Sequence, residues 1–285
     1  MKPMQGKYVL VTGPTSGVGK EIALQLAALG AELILGCRDP QKGADVAAEV
    51  TRQSGLTPLV MQVDLSSQAS IRAFAREFQG RFRRLDVLVN NAAGNRGELP
   101  KIDSVDGIEL TFATNVLGYF LLTQELLALL KKSAPARIVN VASTFASDLD
   151  LDDLQFERRP FESFKAYAQS KACNRLFTWA LARRLEGSGV SANAMTPGLI
   201  TETGLYRNAA SELVNRLSQY SHGRTSAQGA DTAVWLASFA EMEGVSGKFF
   251  EERKELACEF RNEGTEEKLW RICEGLVNKT GPSGK

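Results

Sequence analysis

Histidine is almost missing from this chain: His222 is the one imidazole in 285 residues, and Cys37, Cys173, Cys258 and Cys273 show no Cys-x-x-Cys spacing. A Ser-His-Asp triad and the usual zinc and haem ligand sets are thereby excluded, and unpaired thiols suit a reducing cytosol. An excess of one charge is also lacking. With 34 Lys and Arg against 33 Asp and Glu, the net charge is +1, so no global field draws the chain to nucleic acid or anionic lipid. No long apolar run is free of polar residues: Phe112–Leu130 carries Thr114, Asn115, Thr123, Gln124 and Glu125, which reads as a buried helix and not as a membrane span. Met1–Lys7 is short and polar and leads straight into a strand-like run, so no signal peptide is expected and the expected location is cytoplasmic. Linkers, repeats and low-complexity tracts are missing too, so one domain over residues 1–285 is expected.

What is present alternates. Short apolar runs at Tyr8–Val11, Glu32–Leu35, Leu59–Val63, Val87–Asn90, Ile138–Val141, Val190–Met195 and Gly247–Phe250 read as strands. Between them, segments of helical period predict helices that start near Val18 and cover about Gln41–Gln53, Gln68–Phe82, Val105–Lys131 and Phe164–Glu186. Strand-helix alternation of this kind predicts a doubly wound, mostly parallel, seven-stranded α/β sheet of Rossmann type with helices on both faces. Residues 201–225 are expected to form a substrate lid and 251–280 a C-terminal extension, with a loose tail from Gly281.

Directly after the first strand comes Thr12-Gly13-Pro14-Thr15-Ser16-Gly17-Val18-Gly19, opening a helix. Glycines there let the backbone approach a pyrophosphate while free N–H groups of the helix end point at it, so this is a candidate dinucleotide site. The second strand ends in Cys37-Arg38 where an NAD-binding fold places an acid for the ribose 2′-hydroxyl; a guanidinium there pairs with a 2′-phosphate, which favours NADP(H). Asp39 competes with that reading as a surface partner for Arg38. Tyr167 and Lys171 lie four residues apart on one helix, hence on one face, and an ammonium beside a phenol favours phenolate. Taken alone, such a pair is more often mere amphipathic packing, and the case rests on the combination of motifs.

These motifs together resemble the short-chain dehydrogenase/reductase family over about Lys7–Phe250. Besides the glycine turn, the resemblance rests on Val63-Asp64-Leu65, Asn90-Asn91-Ala92-Ala93, Asn115 in the long helix, Ser143 before Tyr167 and Lys171, and Pro197-Gly198 after the sixth strand. Gly36–Asp39, Asn115–Thr123, Arg137–Val141, Gly244–Phe250 and the 24-residue gap from Ser143 to Tyr167 resemble the retinol-dehydrogenase-like branch. Thr203–Arg207 and Lys171–Asn174 resemble protochlorophyllide oxidoreductase less well, because no room exists before Tyr167 for the insertion of that branch.

The resemblance implies an NADP(H)-dependent oxidoreductase acting on an apolar carbonyl or alcohol. Tyr167 would be the acid/base, Ser143 would bind the reacting oxygen, Lys171 would hold the nicotinamide ribose, and Asn115 would place a relay water. Gly13, Thr15, Ser16, Gly17, Val18, Gly19, Arg38, Asp64, Leu65, Asn91, Ala92, Pro197, Gly198 and Ile200 would line the cofactor, with Asp64 accepting from the adenine amino group. Glu202 stands where many members have a nicotinamide-binding Thr, which Thr201 or Thr203 could replace. Pro14, Ala93 and Ala142 also depart from the family pattern. The partner implied is a small molecule; relatives often form a homodimer through the long helix and the Tyr167 helix, faces that the extension from Glu251 to Asn278 could here cover or alter. The alternative reading is a silent NADPH-binding sensor or scaffold, against which the complete set of four catalytic residue types speaks; a methyltransferase on a similar sheet would lack the Tyr167 and Lys171 pair. Arg81–Arg84, Phe177, Trp179, His222 and Cys173 read as structural residues.

Overall fold

Three consecutive buried residues of the first strand divide their side chains between two cores. In the computed structural model, which describes residues 2–95, 97, 99–200, 223–258 and 260–278, β1 (Tyr8–Thr12) sends Leu10 to one face of the sheet and Val9 and Val11 to the other. Both faces are covered, which is why the strand is apolar throughout instead of alternating. The further strands are β2 (Glu32–Cys37), β3 (Leu59–Gln62), β4 (Val87–Asn90), β5 (Ala136–Val141), β6 (Val190–Met195), β7 (Phe249–Glu251) and β8 (Lys254–Glu255). Their order is β3-β2-β1-β4-β5-β6-β7-β8, all parallel except the last pair. The order reverses between β1 and β4, and that switch point opens the crevice in which such sheets bind ligands.

The helices are α1 (Gly17–Ala28), α2 (Pro40–Ser54), α3 (Gln68–Arg81), α4 (Leu110–Lys132), α5 (Ser163–Arg184), α6 (Ser226–Ser238) and α7 (Glu263–Asn278). Buried residues of α1, α2 and α6 build one core, and those of α3, α4, α5 and α7 the other. Helix α4 is long and apolar enough to cross a membrane by length and composition, yet it is 72% buried inside the fold.

Three sequence expectations need correction. The sheet has eight strands, because after β7 the chain reverses through Glu252 and Arg253, both at positive φ (49° and 61°), and adds antiparallel β8. The last strand begins at Phe249, two residues later than expected, since Gly247 is in a turn at φ 72°. Helix α4 starts at Leu110 and not near Val105: Gly107 turns at φ 71°, Asp103 pairs with Glu109, and the Glu109 carboxylate accepts from the amides of Thr111 and Phe112. The C-terminal extension, whose secondary structure the sequence left open, contains a full helix. In α7, Trp270 packs 4.9 Å from Phe120 and 6.0 Å from Phe177, and Glu266 and Glu267 pair with Arg183 and Arg184. This chain's own α7 therefore covers part of the α4 and α5 faces that the resemblance would give to a second copy. The expected lid lies largely in residues 201–222, outside the described residues.

Candidate active site

The turn between β1 and α1 is built by steric necessity. Gly13 and Gly17 take positive φ (64° and 55°), and a Cβ on Gly13 would stand 2.7 Å from the Ala92 Cα. A Cβ on Gly19 would stand 2.3 Å from both Asn91 Nδ2 and the Gly13 carbonyl oxygen. Asn91 braces the turn, donating from Nδ2 to the carbonyls of Thr12 (2.9 Å) and Gly13 (3.1 Å). Thr12 Oγ1 accepts from the amides of Asn91 (3.0 Å) and Ala92 (3.2 Å). Asn91 and Ala92, expected along the cofactor, thus first hold the turn in shape. Ser16 sits at the N-cap of α1 without a side-chain capping bond, so the helix end keeps its N–H groups open for an anion.

Beside this turn lies a cleft of about 320 Å³ whose lining includes Gly13, Arg38, Lys42, Asp64, Leu65 and Ala92. Asp39 does not compete for Arg38. Its carboxylate caps α2 by accepting from the amides of Gln41 (3.1 Å) and Lys42 (3.3 Å), and it pairs with Lys42 at 3.6 Å. Among the described residues no carboxylate pairs with the exposed Arg38 guanidinium. Asp64 Oδ1 is held by the Ser66 amide and hydroxyl at 2.9 and 2.7 Å. The residues present fit a dinucleotide with a phosphate on its adenosine ribose: a tight glycine cradle, an open helix end and a free guanidinium at the far end of the cleft.

Across the switch point, the ends of β5 and α5 bring the other predicted residues together. Lys171, 1% exposed, donates from Nζ to the Val141 carbonyl at 2.8 Å. Its Nζ lies 5.7 Å from the Tyr167 ring centroid and 5.8 Å from that of Tyr119. Burial drives its pKa down to about 7. Ser143 Oγ accepts from the Phe145 amide at 3.0 Å, which leaves its proton to be donated elsewhere.

Asn115 behaves differently from expectation. Its Nδ2 donates to the Gly94 carbonyl (3.0 Å) and to Ser170 Oγ (3.0 Å), and its Oδ1 accepts from the Gly94 amide (2.8 Å). The side chain is spent on joining the loop after β4 to α5. It has no N–H left for a water, so a relay water here would donate to the second lone pair of Oδ1 or use backbone. The backbone is suited to it: residues Ala113–Leu117 form a π-turn, and such a bulge frees a carbonyl from the helical ladder. Gly118 lets this turn press on the loop after β3, since a Cβ there would meet the Leu65 carbonyl at 2.7 Å.

After β6, Gly198 turns at φ 76°, and Ile200 bridges to Arg224 just before α6, which anchors the segment carrying Pro197, Gly198 and Ile200. Thr201, Glu202, Thr203 and His222 lie outside the described residues. Cys173 is fully buried and its thiol pKa is raised by burial, as an inert packed thiol requires.

Three residues of the site escaped the sequence reading. Lys42 brings a second cation to the cleft. Tyr119 faces Lys171 from α4, fully buried, with its phenol pushed well above the ordinary range by burial and by Tyr167. Arg175 donates to the Ser143 carbonyl from Nε at 3.1 Å and also from Nη2. The signal for Arg175 was legible, because 167, 171 and 175 follow one another at four-residue steps along one helix face.

With this geometry in view, the comparisons with known proteins are specific. The family model for short chain dehydrogenase matches residues 7–213. Human retinol dehydrogenase 14 is 40% identical over 96% of the chain and 87% of its own length, and mouse retinol dehydrogenase 12 is 40% identical over 95% and 86%. Among solved structures, an uncharacterised Mycobacterium paratuberculosis protein superposes with a TM-score of 0.77 at 30% identity, covering 98% of this chain and 96% of that one. The Pseudomonas aeruginosa RhlG/NADP active-site complex gives 0.71 at 29% identity, covering 87% and 96%.

Proposed function

Because the chain belongs to the short-chain dehydrogenase/reductase family, within its retinol-dehydrogenase-like branch, we propose that it is an NADP(H)-dependent oxidoreductase that interconverts apolar carbonyls and alcohols. The observation that carries this reading is the buried Lys171 amine 5.7 Å from the Tyr167 ring, in the same fold as the glycine-cradled cleft that Arg38 and Asp64 line. Gly13, Gly17 and Gly19 with the α1 N-terminus hold the pyrophosphate, Asp64 and Leu65 face the adenine, and Arg38 with Lys42 meets the 2′-phosphate. When bound, the nicotinamide gives or accepts the hydride.

The chain's own residues handle the proton and the developing charge. Tyr167 donates its phenolic proton to the substrate oxygen during reduction and takes it back during oxidation. Ser143, with its oxygen occupied by the Phe145 amide, turns its O–H toward the same oxygen and stabilises charge there. Lys171, with a pKa near 7, is poised to resupply a proton to Tyr167. The π-turn at Asn115 offers backbone for the water that reconnects Lys171 to solvent.

An apolar substrate is supported by Phe145 and Phe164, each 41% exposed, which meet edge-on at 5.9 Å beside Ser143 and Tyr167. The retinol named for the relatives belongs to this class. Free thiols at all four cysteines support a reducing, cytoplasmic setting. The test is a panel of aldehydes, ketones and quinones monitored by NADPH consumption, with NADH in parallel. Apolar carbonyls are expected to oxidise NADPH and to do so faster than NADH; binding of NADPH with no turnover across the panel would mark a silent binder.

A further inference from the structure

Arg175 is 6% exposed, and among the described residues no carboxylate lies within ion-pair distance of it. A guanidinium so placed carries a desolvation cost that an aliphatic side chain of similar length would avoid. Its surroundings show what it holds. From Nε (3.1 Å) and Nη2 it donates twice to one acceptor, the backbone carbonyl of Ser143. Its guanidinium carbon lies 3.9 Å from the Phe249 ring centroid and 5.3 Å from that of Phe260. Nη1 reaches Cys258 Sγ at 3.7 Å. Strand β7 and the segment after β8 thus grip the side chain, and its donors point back across α5 at the residue that binds the reacting oxygen.

Resting on the oxidoreductase reading, we propose that Arg175 is a positioning residue for Ser143, and that the C-terminal extension, through Phe260 and Cys258, tunes the active site by way of this arginine. The carbonyl and the hydroxyl belong to the same residue. Fixing the carbonyl leaves the Ser143 backbone one orientation, and the Phe145 amide then fixes Oγ. A misplaced donor loses transition-state stabilisation while substrate and nucleotide still bind, because neither touches Arg175.

The experiment is a double-mutant cycle of Arg175→Met and Ser143→Ala on the full chain, with Arg175→Lys as the conservative variant. Arg175→Met is expected to lower kcat about 10- to 100-fold with NADPH affinity unchanged, and Arg175→Lys to recover part of the loss through one remaining donor. Combined with Ser143→Ala, the arginine change is expected to cost nothing more, since its effect passes through the serine. Multiplicative losses, or a loss confined to NADPH binding, would overturn the proposal. Amide hydrogen exchange supplies a readout independent of turnover: the Phe145 amide is expected to exchange faster in Arg175→Met than in wild type while the β1 amides do not change. Unchanged exchange at Phe145 would also overturn it, whereas a wild type that exchanges as expected but reduces nothing would count against the oxidoreductase reading alone.

Discussion

The two ends of the crevice hold their charges in opposite ways. At the Tyr167 end, Lys171 and Arg175 are 1% and 6% exposed and each is fixed by a backbone carbonyl. At the Arg38 end, Arg38 and Lys42 stand in solvent, and the Lys42 side chain is 67% exposed. Burial makes a charge expensive and therefore movable: it brings the Lys171 amine to a pKa near 7, where gaining and losing a proton is easy. Exposure leaves the interactions of the other pair screened by solvent and salt. In the proposed function, chemistry falls where water is excluded and selectivity where it is not.

The largest effect is expected from breaking the dry end. Tyr167→Phe removes the one proton donor at the reacting oxygen and leaves the ring contact with Lys171, so kcat is expected to fall by about 10²- to 10⁴-fold with NADPH affinity kept. Steady-state kinetics with nucleotide binding measured by fluorescence checks both parts. A rate within a few-fold of wild type would move the acid/base role away from this helix.

The same contrast explains what could be read without coordinates. The wet end was legible because local chemistry sets it: glycines at forced φ values, an arginine at a strand end, a helix beginning at a fixed offset. The Tyr167 and Lys171 pair was legible through helical spacing. What escaped depends on contacts distant in the chain. Helix α7 is held by Trp270 against Phe120 and Phe177 and by Glu266 and Glu267 against Arg183 and Arg184, partners roughly eighty or more residues away that no window can show. Strand β8 is two residues long and exists because β7 offers an edge. Asn115 was singled out by its place in the long helix, but its commitment to Gly94 and Ser170 is a tertiary fact. Arg175 carried a helical-spacing signal, yet its target, the Ser143 carbonyl, becomes visible only once β5 and α5 are side by side.

A smaller effect is expected from the wet end. Arg38→Ala removes charge-assisted bonds to a 2′-phosphate, so NADPH affinity is expected to drop about 10- to 100-fold with NADH unchanged. Lys42→Ala is expected to cost about threefold, because that cation is exposed and shared with Asp39 at 3.6 Å. Titrations at two salt concentrations sharpen the test, since a screened contact weakens with salt. Equal losses for NADPH and NADH would show that these cations do not read the 2′ position.

The smallest effect is a slope in stability, and it isolates the burial of Lys171 from catalysis altogether. In the folded, nucleotide-free chain its amine titrates near pH 7, against 10.5 for an ordinary lysine. Between those values the unfolded chain holds a proton that the folded chain has released, so stability rises with pH across the window. Below pH 7 both states are protonated and the cost of burying the charge is paid in full. Above about pH 9 the thiols of Cys173 and Cys273 and the phenol of Tyr119, all pushed up by burial, begin to pull the other way, because they lose protons first when unfolded. Melting curves at pH 7 and pH 9 are therefore expected to show wild type gaining several degrees relative to Lys171→Met, whose buried methionine has nothing to titrate. Parallel behaviour of the two proteins would mean that water reaches Lys171, and the distinction between a dry end and a wet end would fail at the residue on which it depends most.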